Sequence, residues 1–319
     1  MTEDSDGIAL TGLPTEARNP RTTDLDLLTT RELLARINQE DARVPDAVAA
    51  ALPVLAEVVE EGVACLGRGA RIHYFGAGTS GRIAALDAAE LPPTFSLEPD
   101  RVVAHQAGGA TALTSAIEGA EDRVEDGEAA AAVLRPGDLA LGLAASGRTP
   151  YVSGVLQAAR RNGAATALIS ANPTAPLAPL ADWHVAADTG PEAVAGSTRL
   201  KAGTAQKLLL NTFSTAVMVR LGKTYSNLMV DLSASNEKLR RRTLTILGEA
   251  SGADEATCRA TLEAAGGSLK VALVMLLAGV ASAPATRALE EASGKVRGAL
   301  DALGVGRATS AGGQDGGRG

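Results

Sequence analysis

A short apolar segment, Arg71-Ile-His-Tyr-Phe75, runs directly into Gly76-Ala-Gly-Thr-Ser-Gly81 and then into a helical stretch reaching Glu90. A glycine turn so placed joins a strand to a helix, and the pattern repeats along the chain. Residues 101–106 read as a second strand, 111–133 as a helix and 138–144 as a third strand. A second turn, 145–149, leads to a helix ending at Arg161, and 164–170 and 183–187 supply two more strands. Strands alternating with helices at this rhythm predict an α/β fold with a doubly wound, mostly parallel sheet and flanking helices. Leu91-Pro92-Pro93 is expected to end the first of these helices, because proline lacks a donor and disfavours helical geometry in the residue before it.

The flanks are helical. Apolar residues between 28 and 66 recur at helical spacing, broken near Val44-Pro45, which predicts two helices, the first starting at Thr30. After Asp188 the pattern predicts long helices over 198–221 and 236–249. A small three-helix unit over 254–303 follows, with Ala265-Gly266-Gly267 as its first turn. The expected organisation is therefore a disordered tail (1–10), N-terminal helices packed on the sheet domain (11–68), the sheet domain with its long helices (69–250), a small helical domain (251–305) and a second disordered tail (306–319).

Composition narrows the function classes. Aromatic residues make up 2% of the 319, too few for the aromatic platforms that stack bases. The net charge of −7 and the lack of a long basic block argue against a nucleic-acid partner, and Arg240-Arg241-Arg242 reads as a solvated helix face. The two cysteines, Cys65 and Cys258, and the scattered His73, His105 and His184 give neither a disulfide framework nor a metal-ligand pattern. Met1 to Gly7 is acidic and polar, unlike a secretory signal, and the apolar stretch 271–283 is too short to span a bilayer. A cytoplasmic protein with no membrane partner is expected.

The candidate chemistry sits on the turns. Gly76-Ala77-Gly78-Thr79-Ser80-Gly81 has the spacing of a dinucleotide fingerprint, but such a site wants an acid closing the second strand, where His105 and Gln106 stand. What remains is an anion cradle formed by Gly78, Thr79 and Ser80 at a helix N-terminus. Ser146, Gly147, Arg148 and Thr149 form a second, and two hydroxyl-bearing turns on one sheet edge favour a single phosphate. Capping of a helix by Ser146 and Thr149 is the simpler alternative. Asp87, Glu90, Glu118, Glu121 and Asp122 follow the first cradle. Glu90, expected in the last turn of its helix, would face the negative end of the dipole, which raises a carboxyl pKa and suits a general acid. A solvated surface carboxylate is the alternative for each of them.

Longer motifs carry a resemblance. Gly76 to Arg82, Leu86-Asp87-Ala-Ala-Glu90 with Pro92-Pro93-Thr94-Phe95, and Ala107-Gly-Gly109 leading to Glu118-Gly-Ala-Glu-Asp122 resemble N-acetylmuramic acid 6-phosphate etherases. So do Thr15 to Pro20, Ser146 to Tyr151, Gly190-Pro-Glu192, Gly196 to Lys207, and Asn227 to Asp231. The resemblance implies a SIS-type sugar-phosphate domain, a small UBA-like C-terminal domain, and a homodimer with shared active sites. It implies cleavage of a lactyl ether on a small-molecule sugar phosphate, without metal, nucleotide or other cofactor, in amino-sugar recycling. By motif the active-site glutamates fall on Glu90 and Glu121, and Ser197 and Lys201 join the substrate-binding residues. Leu91 stands where many relatives have Cys, and Ala195 where a Thr is common. A regulator of the same architecture, which binds fructose phosphates without catalysis, and an aldose–ketose isomerase are the alternatives.

Overall fold

The computed structural model describes residues 15–231 and 237–305, so both expected tails lie outside the described residues. The chain forms two compact units: the residues up to Leu91 together with Glu98–Val217, and Pro92–Leu97 together with the chain from Met218 onward. The expected division, 250/251, and this one differ because α7 (Glu237–Ser251) puts Ile246 and Leu247 into the core of the second unit.

In the first unit α1 (Thr30–Asp41) starts one residue beyond the true cap. Thr29 accepts from the Glu32 N–H while the Glu32 carboxylate accepts from the Thr29 N–H, a reciprocal capping box. Next comes α2 (Val44–Gly67), with proline in its first turn, and then β1 (Ile72–Gly76) and α3 (Gly78–Phe95). The remaining strands are β2 (Val102–Gln106), β3 (Leu139–Leu143), β4 (Ala165–Ser170) and β5 (Trp183–Ala186). They pair in the order β2-β1-β3-β4-β5, all parallel. Every residue of β1 and β3 is buried, as strands covered on both faces require. Helices α4 (Val124–Ala130), α5 (Pro150–Arg161) and α6 (Lys201–Arg220) complete the unit.

Two expectations fail here for identifiable reasons. Helix α3 does not stop at Leu91 but continues through Pro92 and Pro93 to Phe95. Each proline forfeits one intrahelical hydrogen bond, yet Leu91 and Phe95 are both buried, and burying two large apolar side chains offsets that loss. The segment 111–133 is not one helix. It breaks into single 3-10 turns at Ala110–Leu113, Ala120–Asp122 and Ala131–Val133 around the short α4. Gly119, at φ +70°, turns the chain left-handed in the middle of the run, and a helix cannot cross such a residue.

The second unit has a small hairpin, β6 (Thr224–Tyr225) and β7 (Leu228–Met229), which the sequence pattern did not reveal. Among the described residues after α7 there are four helices rather than three: α8 (Glu255–Ala264), α9 (Leu269–Ala278), α10 (Ser282–Glu291) and α11 (Val296–Ala302). The extra break falls at Ser293-Gly294, both at positive φ. Ala265-Gly266-Gly267 forms the expected turn between α8 and α9. Among the described residues no single helix is long and apolar enough to cross a membrane. Helices α8 and α9 pass that test only as a pair bent by 117°, and Leu269, Ala272, Leu273 and Val274 of α9 lie in the core.

Candidate functional site

The three glycines of the first turn have different tasks. Gly78 adopts φ +53°, which sets the turn. A Cβ on Gly76 would lie 2.7 Å from the Gly81 nitrogen, and one on Gly81 would lie 1.9 Å from Gln106 Oε1 and 2.6 Å from the Gly76 oxygen. Gly76 and Gly81 therefore let the start of α3 pack onto the end of β1. The spacing that mimics a dinucleotide fingerprint here serves close helix–strand packing. In the second turn Gly147 has φ +70°, and a Cβ there would fall 2.3 Å from that of Ala175. The Asn172 side chain holds this turn by donating to the Ser146 carbonyl at 3.1 Å.

Both turns leave the carboxyl ends of adjacent strands, with Gly76 of β1 level with Leu143 of β3. The chain departs from β1 to β2 on one side and to β3 on the other, so this is the topological switch point, where ligands bind in open α/β sheets. A cleft of about 520 Å³ opens there. Gly78, Thr79 and Ser80 form one wall, and Ser146, Arg148 and Thr149 another. Gly196, Ser197, Thr198 and Arg199, the approach to α6, form a third, while Glu121 and Asp122 stand at the rim with Glu16. Gly147 shapes its turn without lining the cleft. Backbone N–H groups of the first turn of α3 have no intrahelical acceptor, and with the helix dipole they favour an anion. Thr149 is the residue before α5, but its hydroxyl makes no cap hydrogen bond, so capping does not account for it.

Ser80 is tied down more than its sequence position implied. It is buried, and its hydroxyl donates to Gln206 Oε1 at 2.8 Å, which links α3 to α6. The Gln206 Nε2 is buried without a partner. A half-turn of that amide exchanges donor and acceptor, and then Ser80 has its proton to give to an anion.

Lys201 is a correction. Its ammonium is not in the cleft but fully buried, 2.9 Å from Glu40 Oε2. Glu40 also accepts from Arg21 and Asn19, and these partners, Arg21 foremost, hold its carboxyl well below the usual carboxylate range. The cause lies in how α6 begins. The Glu192 carboxylate, itself buried, accepts the backbone N–H groups of Lys201 and Ala202 at 2.9 Å each, anchoring this first turn in the interior. Burial pushes the Glu192 pKa up, against those two hydrogen bonds. Lys201 thus ties α6 to α1. Nothing in sequence pairs residues 161 positions apart, so this role was invisible.

The two glutamates separate. Glu121 is exposed on the turn Ala120–Asp122 and reaches the cleft rim. Glu90 is exposed on α3, ten residues beyond Ser80 and so about 15 Å along the axis, and it is not part of the cleft wall. Because α3 runs on to Phe95, Glu90 is not in its last turn, and the expected placement against the negative end of the helix dipole does not hold.

Two residues gained roles that spacing did not give them. Asp87, on the buried face of α3, accepts from Tyr74 Oη at 3.2 Å and Ser214 Oγ at 3.0 Å. With the Asn211 amide turned to donate to Asp87 at 3.2 Å, its oxygen accepts from Lys207 at 3.0 Å. Burial raises the Asp87 pKa to about 6 against these hydrogen bonds. Arg82 donates from Nε to the Leu113 carbonyl at 3.0 Å and from Nη2 to that of Ser115 at 3.2 Å, holding to α3 the irregular segment that carries Glu121.

Comparison with known proteins places this geometry. Residues 54–160 match the glucokinase regulatory protein N-terminal SIS domain, and residues 114–216 the SIS domain. The chain is 60% identical to the N-acetylmuramic acid 6-phosphate etherase of Thermobifida fusca, over 83% of this chain and 87% of that one. It is 52% identical to the enzyme of that name from Cutibacterium acnes, over 92% and 97%. Among solved structures, a phosphoheptose isomerase from Francisella tularensis superposes with a TM-score of 0.50 at 16% identity, covering 60% of this chain and all of that one, which marks a shared fold.

Proposed function

The chain belongs to the N-acetylmuramic acid 6-phosphate etherase family, and from that premise we propose that it cleaves the D-lactyl ether of N-acetylmuramic acid 6-phosphate. Water and substrate give N-acetylglucosamine 6-phosphate and D-lactate, a step in amino-sugar recycling. The observation that carries the reading is the cleft at the switch point, where two hydroxyl-bearing turns and a helix N-terminus converge beside Glu121. The sugar phosphate sits against Gly78, Thr79 and Ser80 on one side and Ser146, Thr149 and Ser197 on the other.

An ether is a poor leaving group, so the chemistry starts from the ring-opened sugar, whose C1 aldehyde acidifies the C2 proton. One carboxylate removes that proton, and a second carboxyl protonates the C3 oxygen as the C3–O bond breaks. D-lactate leaves, and water adds across the resulting double bond, placing hydroxyl on C3 and hydrogen on C2. Glu90 is the proton donor to lactate and Glu121 the second acid–base group. A non-catalytic regulator of this architecture has no need of both. Two free, buried cysteines fit a reducing, cytoplasmic setting.

The separation of the two glutamates calls for a second copy of the chain. C6 and C3 of one sugar are closer together than the roughly 15 Å between Ser80 and Glu90 along α3. A twofold homodimer brings the partner's Glu90 to the cleft instead. Leu86, one turn before Glu90, is 52% exposed on this helix, an apolar position that such an interface covers. The decisive experiment measures D-lactate release from N-acetylmuramic acid 6-phosphate, first with the wild type. It then mixes Glu90→Gln with Ser80→Ala/Ser146→Ala after reversible dissociation, at substrate far enough below the raised KM of the second that each alone is nearly silent. Shared sites restore activity toward about a quarter of wild type on random pairing. No lactate from the wild type overturns the etherase reading. No recovery in proven hybrids overturns the sharing.

A further inference from the structure

A smaller recess, of about 280 Å³, opens beside the cleft and shares Ala77, Gly78, Arg82 and Glu121 with it. Its inner lining is of a different kind. Ala107, Ala112, Ala116 and Ile117 supply apolar surface, with Gln106 and Glu118 also on its wall. Gly108, at φ +81°, bends the chain so that Ala112 and Ile117 close on its α-carbon. A Cβ there would stand 3.2 Å from both Ala112 Cβ and Ile117 Cδ1. The two Arg82 hydrogen bonds to Leu113 and Ser115 hold this lining to α3. Ile117 nevertheless keeps 41% of its surface exposed, apolar area that a bound group can cover.

We propose that this recess receives the acetamido group on C2 of the sugar, its methyl against Ala107, Ala112, Ala116 and Ile117. The inference rests on the etherase reading and sharpens it. A muramic acid phosphate offers three appendages. The phosphate belongs to the hydroxyl-bearing turns. The lactyl group carries a carboxylate, and the recess sets two carboxylates, Glu118 and Glu121, against one guanidinium, Arg82, whose Nε and Nη2 each already donate to a backbone carbonyl. That balance repels an anion. The acetamido group is neutral, ends in a methyl and sits on C2, beside the C3–O bond that breaks, as the recess sits beside the cleft at the wall both share, which includes Glu121.

Titration calorimetry of the whole protein with N-acetylglucosamine 6-phosphate and with glucose 6-phosphate tests this, since the two differ only at C2. The wild type should prefer the N-acetyl sugar by roughly tenfold or more, the scale at which a small apolar group in a fitted pocket is discriminated. Ala116→Phe, at an exposed position of the recess, should weaken the N-acetyl sugar by about tenfold and leave glucose 6-phosphate within about twofold. Ile117→Ala, which empties rather than fills, should lower the preference by roughly threefold. Equal affinity for the two sugars in a wild type that releases lactate overturns the recess alone. So does a parallel loss for both sugars in Ala116→Phe, or an unchanged preference in Ile117→Ala. Binding of neither sugar overturns the sugar-phosphate reading itself, and the recess with it.

Discussion

At its N-terminal end α3 is held from several sides: two glycines press it onto β1, Gly78 sets the turn, and Ser80 is tied to Gln206 of α6. Farther along, the same helix shows Leu86 and Glu90 to solvent and then crosses two prolines. Both ends belong to motifs that resemble one enzyme family, and Leu91 and Phe95 pack the second as the glycines pack the first, yet only the first lines the cleft. The difference teaches which part of the helix faces the cleft and which faces solvent. The turn proposed to hold the phosphate is pre-formed, because backbone donors can be aimed only by a rigid turn. Glu90 itself stays exposed, as its proposed approach to a partner's cleft requires.

The largest expected effect is at the open end. Glu90→Gln should lower D-lactate release by about 10²–10⁴, because glutamine keeps the shape but cannot donate the proton, with an unchanged melting temperature. Retention of more than roughly a tenth of the activity would take the open end out of the chemistry and dissolve the contrast. Next, Gly81→Ala should destabilise the fold by about 1–3 kcal/mol, since its Cβ has no room against Gln106 and Gly76. Ala89→Ser on the exposed face should stay within about 0.5 kcal/mol, and equal melting shifts for the two would mean that this face is packed like the turn. Ser80→Ala should raise KM for the phosphorylated sugar by about five- to tenfold, roughly 1 kcal/mol, with little change in kcat.

The smallest effect concerns Asp87, on the buried face midway between the ends. Its folded pKa, about 6, lies above the ordinary 3.8, so the folded state holds the proton more tightly. The stability this gives is fully present below pH 3.8 and is lost as pH rises through about 6. Asp87→Asn has no such proton to lose. Its melting temperature relative to wild type should therefore move upward by about 2–4 °C between pH 4 and 7. A flat difference across that window would show that Lys207 and the surrounding donors compensate the carboxylate fully.

Legibility followed distance along the chain. The strands could be read to within a residue or two at each end, the inner β3 and β4 because burial on both faces makes them nearly continuous apolar runs, the half-buried edge strands β2 and β5 from the turns that flank them. The cradle residues Gly78, Thr79, Ser80, Ser146 and Thr149 were legible as strand-to-helix turns, and the structure gathers them, with Ser197, around one cleft. The pair Glu90 and Glu121 came from motif resemblance, since exposed carboxylates carry no periodic signal of their own. Lys201 could not be placed, because its partner Glu40 is remote in sequence and the Glu192 cap that anchors its turn is not a local pattern. The run 111–133 looked helical because alanine and charged residues are good helix formers, and propensity alone gives Gly119 too little weight.

What the sequence by itself determined is the alternation of elements, the two hydroxyl-bearing turns and the family motifs, all of which depend on residues close together in the chain. The tertiary structure alone decided that α3 passes through its prolines, that Lys201 turns inward to Glu40, and that an apolar recess adjoins the cleft beside Glu121. Each of these turns on burial against partners dozens of residues away, where long-range packing outweighs local preference by more than any short pattern records.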